Sequence, residues 1–272
     1  MKQKLFSLVS LTTVLYLYLS SCLKPEPTVI QPPSTGMLKI VQLKGTRSVN
    51  SLDSMPIIYN QHGNPVSIMP THVSTGYPAY LFGYDRQNRL LTYIGSYMNN
   101  NYFESAHKYA YDQLNRVVLD SMMIFGTYSD DLQTIIKDPR GFLKVTTYSY
   151  DHLNRLIKAV EVGLSYDIDT TTISYSYNTA GNVWKIHTVY VSPAYPERNS
   201  ISDAFPSYDN KTNYHQLHKV WQVIDRDYNR NNVYGANTYN SLGLPVSITI
   251  DYKQYRPVLG ISFDSVGIRY GF

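Results

Sequence analysis

Two pairs of aspartates have the spacing that paired-carboxylate chemistry requires. Asp167 and Asp169 are separated by one residue, as are Asp225 and Asp227, so in an extended strand both carboxylates of a pair share one face. Carboxylates held about 5–10 Å apart are the acid and base of glycoside hydrolysis. No partner motif accompanies either pair, and both lie in polar, loop-like sequence. A surface glycosidase is therefore the third-ranked of three hypotheses for this chain.

The histidines offer a second kind of chemistry. His215 and His218 have the i, i+3 spacing of metal ligands only on a helix, and residues 214–223 are more typical of a strand. Zinc also needs a third ligand and a positioned carboxylate. The chain contains no Gly-x-Ser-x-Gly elbow, phosphate loop or Gly-x-Gly-x-x-Gly. The sequence thus predicts no catalytic residues, no metal and no cofactor.

The N-terminal segment predicts where the protein is exported. Lys2 and Lys4 precede an uncharged run over residues 5–19, which ends in Leu19-Ser20-Ser21-Cys22, and this is the order of a secretory signal peptide. The run of about 15 residues is shorter than the ~20 that a spanning helix needs. Leu-Ser-Ser-Cys resembles a bacterial lipobox, whose acylated cysteine anchors the mature chain stably. We predict a lipoprotein signal peptide over residues 1–21, lipidation of Cys22 and an outer-membrane location.

Residues 22–36 predict an extended tether. Pro25, Pro27, Pro32 and Pro33 bias their preceding residues away from helix. Lys24 and Glu26 resemble the export signal of surface-displayed Bacteroidota lipoproteins. Loss of two lysines with the signal leaves 22 basic and 20 acidic residues, a charge of +2. That balance predicts no nucleic-acid partner, and residues 37–272 are left as the folded domain.

One pentapeptide recurs along that domain: an aromatic residue, Asp or Asn, two variable residues, then Gly or Asn. Asp and Asn side chains hydrogen-bond the backbone two residues on, and Gly and Asn tolerate left-handed φ. The template therefore predicts structural turns. The second and fifth residues of its seven copies are Asn60 and Gly63, Asp85 and Asn88, Asp112 and Asn115, Asp151 and Asn154, Asn178 and Gly181, Asn240 and Gly243, and Asp264 and Gly267.

Residues alternate on both sides of the turns. Ile173, Tyr175 and Tyr177 share one face, and the residues between them are Ser174 and Ser176; such a period of two beside a tight turn is typical of β-hairpins. Copies are 24–62 residues apart, and the longest interval holds a degenerate copy at 208–212. We predict an all-β chain without helices, an antiparallel meander of repeated hairpins with about 12–16 strands. So large a sheet is expected to be curved or closed.

The repeat also resembles a known family. Tyr-Asp-x-x-Asn-Arg-Leu at 84–90 and 150–156, and Tyr-Asp-x-x-Asn-Arg-Val at 111–117, resemble YD repeats of the RHS type. With the lipobox and Asn231-Asn232-Val233, the chain resembles the small YD-repeat outer-membrane lipoproteins of Bacteroidota. That family has no known function and is described as having a porin-like fold. The resemblance covers about residues 36–272 and implies a curved or closed sheet but no activity.

Aromatic residues are the remaining candidates for function. Tyr and Trp give large contact areas at small entropic cost, so we predict Trp184 and Trp221 as binding anchors. The leading hypothesis is a non-enzymatic, lipid-anchored protein whose β domain binds a glycan or a protein. The alternative is an integral porin-like β-barrel, since Ile268-x-Tyr270-x-Phe272 resembles the end of such barrels.

Overall fold

Antiparallel strands make up most of the protein. A computed structural model describes residues 37–46, 52–98, 100–164, 168–233, 238–249 and 257–272. The predicted signal peptide, Cys22 and the tether over residues 22–36 lie outside these residues and stay predictions. No helix in the described ranges has the length and apolar character needed to cross a bilayer.

Sixteen strands form one sheet. They are β1 (Lys39–Thr46), β2 (Leu52–Tyr59), β3 (Pro65–Ile68), β4 (Ala79–Tyr84), β5 (Leu90–Ser96), β6 (Tyr102–Tyr111), β7 (Val117–Tyr128), β8 (Ile135–Lys137), β9 (Leu143–Tyr150), β10 (Leu156–Gly163), β11 (Thr170–Tyr177), β12 (Val183–Val191), β13 (Ser200–Ala204), β14 (Thr238–Tyr239), β15 (Pro245–Thr249) and β16 (Ser265–Gly271).

The strand order shows where the meander is interrupted. It runs β13-β12-β11-β10-β9-β7-β6-β5-β4-β3-β2-β1-β16-β15-β14, with β8 pairing beside β7. Residues 205–233, which we call the inner segment, leave the sheet after β13, and the chain rejoins the sheet at the opposite end through β14. β13 and β14 each pair with one neighbour, so the sheet of the described residues is open. The all-β meander is thus confirmed, in the curved rather than the closed, porin-like form.

Every turn-linked hairpin carries a β-bulge at the same place. Tyr84 pairs with Leu90 and Gly83 with Thr92, which leaves Leu91 as the extra residue. Bulges bend a strand and increase its twist, so repeated bulges account for a sheet that curls. The extra residues of the six hairpins are Val66, Leu91, Val118, Ile157, Trp184 and Val246.

The concave side of the sheet is filled by the inner segment. Trp221 and Val220 are buried in one cluster with sheet residues such as Phe82 and Tyr93. Ile94, adjacent to Tyr93, belongs to a second cluster, as expected because successive strand residues point to opposite faces. The sheet therefore has two apolar faces, and the larger cluster wraps the inner segment.

Helices in this segment overturn the prediction of strand over residues 214–223. A 3-10 helix spans Tyr214–Leu217 and an α-helix, α1, spans Lys219–Asp225; another 3-10 turn spans Pro196–Arg198. Asn213 accepts a hydrogen bond from the backbone N–H of His215, and His218 from that of Val220. These caps and the burial of Trp221 outweigh the weak helix propensity of a β-branched run.

Candidate functional site

The predicted turn residues share one hydrogen-bonding scheme in six copies. In each copy, the backbone N–H of the Asp or Asn donates to the carbonyl of the residue four positions on. The backbone N–H of the fifth residue of the pentapeptide donates to the backbone carbonyl of that Asp or Asn. The Asx side chain accepts the N–H four residues on. The fifth residue has φ between 57° and 84°. The six pairs in this geometry are Asn60 and Gly63, Asp85 and Asn88, Asp112 and Asn115, Asp151 and Asn154, Asn178 and Gly181, and Asn240 and Gly243.

Arginines that follow three of the turns join each copy to the next. Arg116 donates from Nε to Asp112 Oδ2 at 2.8 Å and from Nη1 to Asn154 Oδ1 of the next copy at 3.0 Å. Its guanidinium also lies over the Tyr150 ring at 5.0 Å. Backbone and side-chain hydrogen bonds from Arg116 hold the pKa of Asp112 below its ordinary value. Sequence reasoning missed this role, although Asn-Arg recurs in those three copies.

Tyrosine hydroxyls form the second link between copies, which explains why tyrosine rather than phenylalanine begins the repeat. Seven of them donate to a backbone carbonyl of an earlier strand at 2.6–3.0 Å, whereas Tyr239, which begins the sixth copy, donates to the Asp209 carboxylate at 2.6 Å. The tyrosines and their acceptors are Tyr59 and Ile40, Tyr84 and Pro65, Tyr111 and Leu90, Tyr150 and Val117, Tyr177 and Leu156, Tyr208 and Val183, and Tyr270 and Pro245.

The seventh pentapeptide requires a correction. Asp264 donates its N–H to the Thr46 carbonyl, and Gly267 lies within β16, where it pairs with Lys44. The pentapeptide is therefore not a hairpin turn. Phe263 lacks the hydroxyl that the repeat uses, and Tyr270 makes the equivalent contact instead.

Replacing Tyr111 with phenylalanine measures how much one such hydroxyl contributes to the free energy of unfolding. We expect a loss of about 1 kcal/mol in the free energy of unfolding, because the Leu90 carbonyl loses its 2.7 Å donor. Urea denaturation measures it. Tyr102→Phe is the matched control, since Tyr102 is 51% exposed, and a loss equal to that of the control would contradict the proposed link.

One predicted carboxylate pair meets a histidine inside the protein. Asp225 Oδ2 lies 2.6 Å from His215 Nε2, and Asp227 Oδ2 lies 3.5 Å from His215 Nδ1. Nδ1 is also 2.8 Å from the Asn213 side-chain oxygen. These groups line a cavity of about 260 Å³ between the inner segment and strands β11, β12 and β15.

The side chains of this cluster are held by hydrogen bonds within the protein. Asp225 accepts the backbone N–H groups of Leu259 and Gly260, both at 2.7 Å. Both ring nitrogens of His215 face oxygen acceptors, and a general base needs a free nitrogen within reach of its substrate. The arrangement suits a structural clamp that joins α1 to the loop at 257–261.

The other candidates do not converge on a site. Asp167 lies outside the described residues, and Asp169 accepts the Tyr190 hydroxyl at 3.3 Å. His218 points away from His215, to Asn64 Oδ1 at 3.2 Å. Burial and Lys39 lower the pKa of His218 to about 4. Within the described part of the chain, no three His, Cys, Asp or Glu side chains are grouped to hold a metal.

The two predicted aromatic anchors have opposite environments. Trp221 is 0% exposed, with its ring 5.8 Å from that of Phe82 in an edge-to-face arrangement, so it is a core residue rather than a surface anchor. Trp184 is 48% and Phe205 65% exposed, and their rings are 6.2 Å apart. Trp184 occupies the bulge position that holds Val, Leu or Ile in the other five hairpins.

Comparisons with known proteins give little further information. No protein-family model and no curated protein matches the chain. Among solved structures it is similar to TcdB2-TccC3, with 16% identity, 82% of this chain and 12% of that chain covered, and a TM-score of 0.32. It is also similar to the Photorhabdus luminescens Tc holotoxin pore, with 16% identity, 81% of this chain and 12% of that chain covered, and a TM-score of 0.33. The chain thus spans about an eighth of the length of these solved chains.

Proposed function

We propose that the chain is a non-enzymatic lipoprotein, anchored in the outer membrane through Cys22, whose β domain binds a glycan or protein partner. The binding surface is the aromatic edge, defined as Trp184 and Phe205. The observation that carries the proposal is the exposed pair itself, because at this bulge, in the strand beside edge strand β13, a large aromatic ring stands where the other five hairpins have an aliphatic residue. Tryptophan is enriched in binding hot spots.

The strand beside the aromatic edge supports this assignment. Within the described residues β13 pairs only with β12, and all five of its residues are exposed. Ile201 is 72% exposed, and Asp203 pairs with Lys185 and His187 at 2.9 and 2.7 Å. Charges on an edge strand discourage open-ended pairing between sheets, so ring contact rather than strand addition is the mode we assign.

The buried clamp supports the absence of catalysis. His215 has both nitrogens opposed by oxygen atoms, and its two carboxylates receive further N–H donors. Such a group is committed to holding the inner segment in place. The glycosidase hypothesis used two aspartate pairs, and this cluster gives no geometric support to the pair Asp225 and Asp227.

Photo-crosslinking from the aromatic edge tests the proposal. The full chain, carrying p-benzoylphenylalanine in place of Phe205, is irradiated in its native cells. We expect a discrete adduct, which yields tryptic peptides of a second protein if the partner is a protein and stains after periodate oxidation if the partner is a glycan. The control places the same residue at Tyr102, also an exposed aromatic site. No adduct, or equal adducts from both positions, would overturn the aromatic edge.

A further inference from the structure

A second surface lies beside the row of turns. It is a groove of about 840 Å³, with one wall formed by successive turns that include Gln87, Asn115 and Asn154, and the other by α1 through Lys219 and Gln222. Its volume lies within the range of ligand sites. The lining is rich in side-chain amides, which can donate and accept hydrogen bonds.

The arginine links fix the orientation of two of these amides. Arg89 donates to the Asn115 Oδ1 at 2.9 Å, and Arg116 to the Asn154 Oδ1 at 3.0 Å. Because the side-chain oxygen of each asparagine accepts a hydrogen bond from an arginine, its NH₂ group is the part of the amide that remains to bind a ligand. Neither NH₂ group has a hydrogen-bond acceptor in the described part of the chain, and each is available as a donor to a hydroxyl oxygen.

The asparagines at the fifth position of successive turns recur at a regular distance along the groove. Asn88, Asn115 and Asn154 occupy the same turn position in three neighbouring hairpins. Neighbouring turns are two strands apart, which is about 10 Å. That distance is comparable with the disaccharide unit of an extended glycan, so each unit of such a chain would meet an equivalent amide.

Charge favours a neutral ligand. Arg89 is paired with Asp85, and Arg116 with Asp112, both at 2.7 Å, while the low pKa of His218 keeps its imidazole uncharged at neutral pH. Lys219 is the groove's one cation without a carboxylate partner among the described residues. We infer that the groove binds an extended, uncharged oligosaccharide through the NH₂ groups of Asn115 and Asn154. This inference rests on the proposed binding role and assigns a ligand class to a surface separate from the aromatic edge.

Calorimetric titration of the purified full chain tests this inference. The probes are cellohexaose, xylohexaose, mannohexaose and maltohexaose, with hexagalacturonate as an anionic probe of equal length. We expect at least one neutral probe to bind, and to bind more tightly than hexagalacturonate. Failure of all four neutral probes, or tighter binding of the anionic one, would overturn the inference.

Asn115→Gly and Asn154→Gly remove the amides without removing the turns, because glycine occupies this position in the other copies at Gly63, Gly181 and Gly243. Each should weaken binding roughly fivefold, with a single cooperative thermal transition as evidence that the variant folds after losing its arginine hydrogen bond. Gln133→Ala, at an exposed site outside the groove, should leave affinity unaltered. Equal affinity for wild type and the double variant contradicts the site.

The two proposals fail separately. A photo-adduct at Phe205 without hexasaccharide binding would overturn the groove and leave the aromatic edge. Hexasaccharide binding that is lost in Trp184→Ala but kept in the double asparagine variant would assign the glycan to the aromatic edge and overturn the groove. Loss in the asparagine variants without an adduct at Phe205 would support the groove alone.

Discussion

Replacing Arg226 with glycine should lower the free energy of unfolding by about 3 kcal/mol, the lower end of the range for breaking a buried ion pair. The Arg226 guanidinium donates to Glu161 Oε1, lies 4.0 Å from Asp120 Oδ2 and covers the Tyr148 ring at 5.2 Å. Asp120 and Glu161 have side chains only 4% and 16% exposed. Removal of the arginine therefore leaves Asp120 with His107, and Glu161 with Lys144, as the remaining partners.

Glycine is the informative substitution because Arg226 ends α1 with a φ of 52°. Glycine adopts that conformation without strain and is the preferred residue after a helix. Destabilisation in urea melts then reports the lost side chain rather than a backbone penalty. Arg140→Ala, whose side chain is 93% exposed, is the control and should change stability by less than about 0.5 kcal/mol. A similarly small loss for Arg226→Gly would show that the sheet holds the inner segment without this arginine.

The pH dependence of stability gives an independent reading of the same contacts. Burial alone would raise the pKa of Asp120, but His107 and Arg226 hold it below its ordinary value of 3.8. For Glu161, burial is likewise outweighed by Arg226 and Lys144, so that pKa lies below 4.5. Acids with lowered pKa stabilise the fold above those ordinary values and lose that contribution as the pH falls through the folded-state pKa. Wild type should lose stability more steeply below about pH 4.5 than Arg226→Gly does.

Replacing Trp221 with alanine should cost about 3–5 kcal/mol, because the substitution opens a cavity in the largest apolar cluster. The side chain is fully buried against Phe82 and beside His218. Its Nε1 has no hydrogen-bond partner among the described residues, so the stabilisation comes from packing.

Two further variants separate packing from other effects in the same urea melts. Trp221→Phe keeps an aromatic ring and removes the unpaired N–H, and we expect it to cost less than half as much as Trp221→Ala. Trp184→Ala, at the half-exposed aromatic edge, should alter stability by less than about 1 kcal/mol while affecting binding. Equal losses for the two alanine variants would contradict the assignment of Trp221 to the core and Trp184 to the surface.

The sequence predicts the hairpins well because their turns depend on local chemistry. Asp112 and Asn115 contain in their own side chains the acceptor and the left-handed tolerance that the turn needs. Alternation beside them then defines the strands. The copy at Phe263 matches the letters of the template, yet it lies partly within β16. It differs from the other copies in lacking the tyrosine hydroxyl, which makes a contact with another hairpin that the pentapeptide alone does not reveal.

The inner segment could not be predicted in the same way. The run Lys-Val-Trp-Gln-Val-Ile-Asp at 219–225 is rich in β-branched residues, which favour strands, and it is helical because Trp221 is buried against the sheet and His218 caps the helix. The burial of Trp221 is a tertiary cause, which the local sequence does not contain. For the same reason Trp184 and Trp221 look alike in sequence, whereas one lies at a sheet edge and the other inside. The bulge positions could have singled out Trp184, since the other five are aliphatic.

Hydroxyl-radical footprinting tests most directly the claim that this is a membrane-anchored binding protein. Oxidation of Trp184 and Phe205 is quantified by mass spectrometry in native membranes and in the purified full chain. We expect strong oxidation of both residues in the purified chain and severalfold protection in membranes, with exposed Tyr102 equally oxidised in both preparations and buried Trp221 oxidised in neither. Equal oxidation of Trp184 in the two preparations, or absence of the chain from the membrane fraction, would contradict that claim.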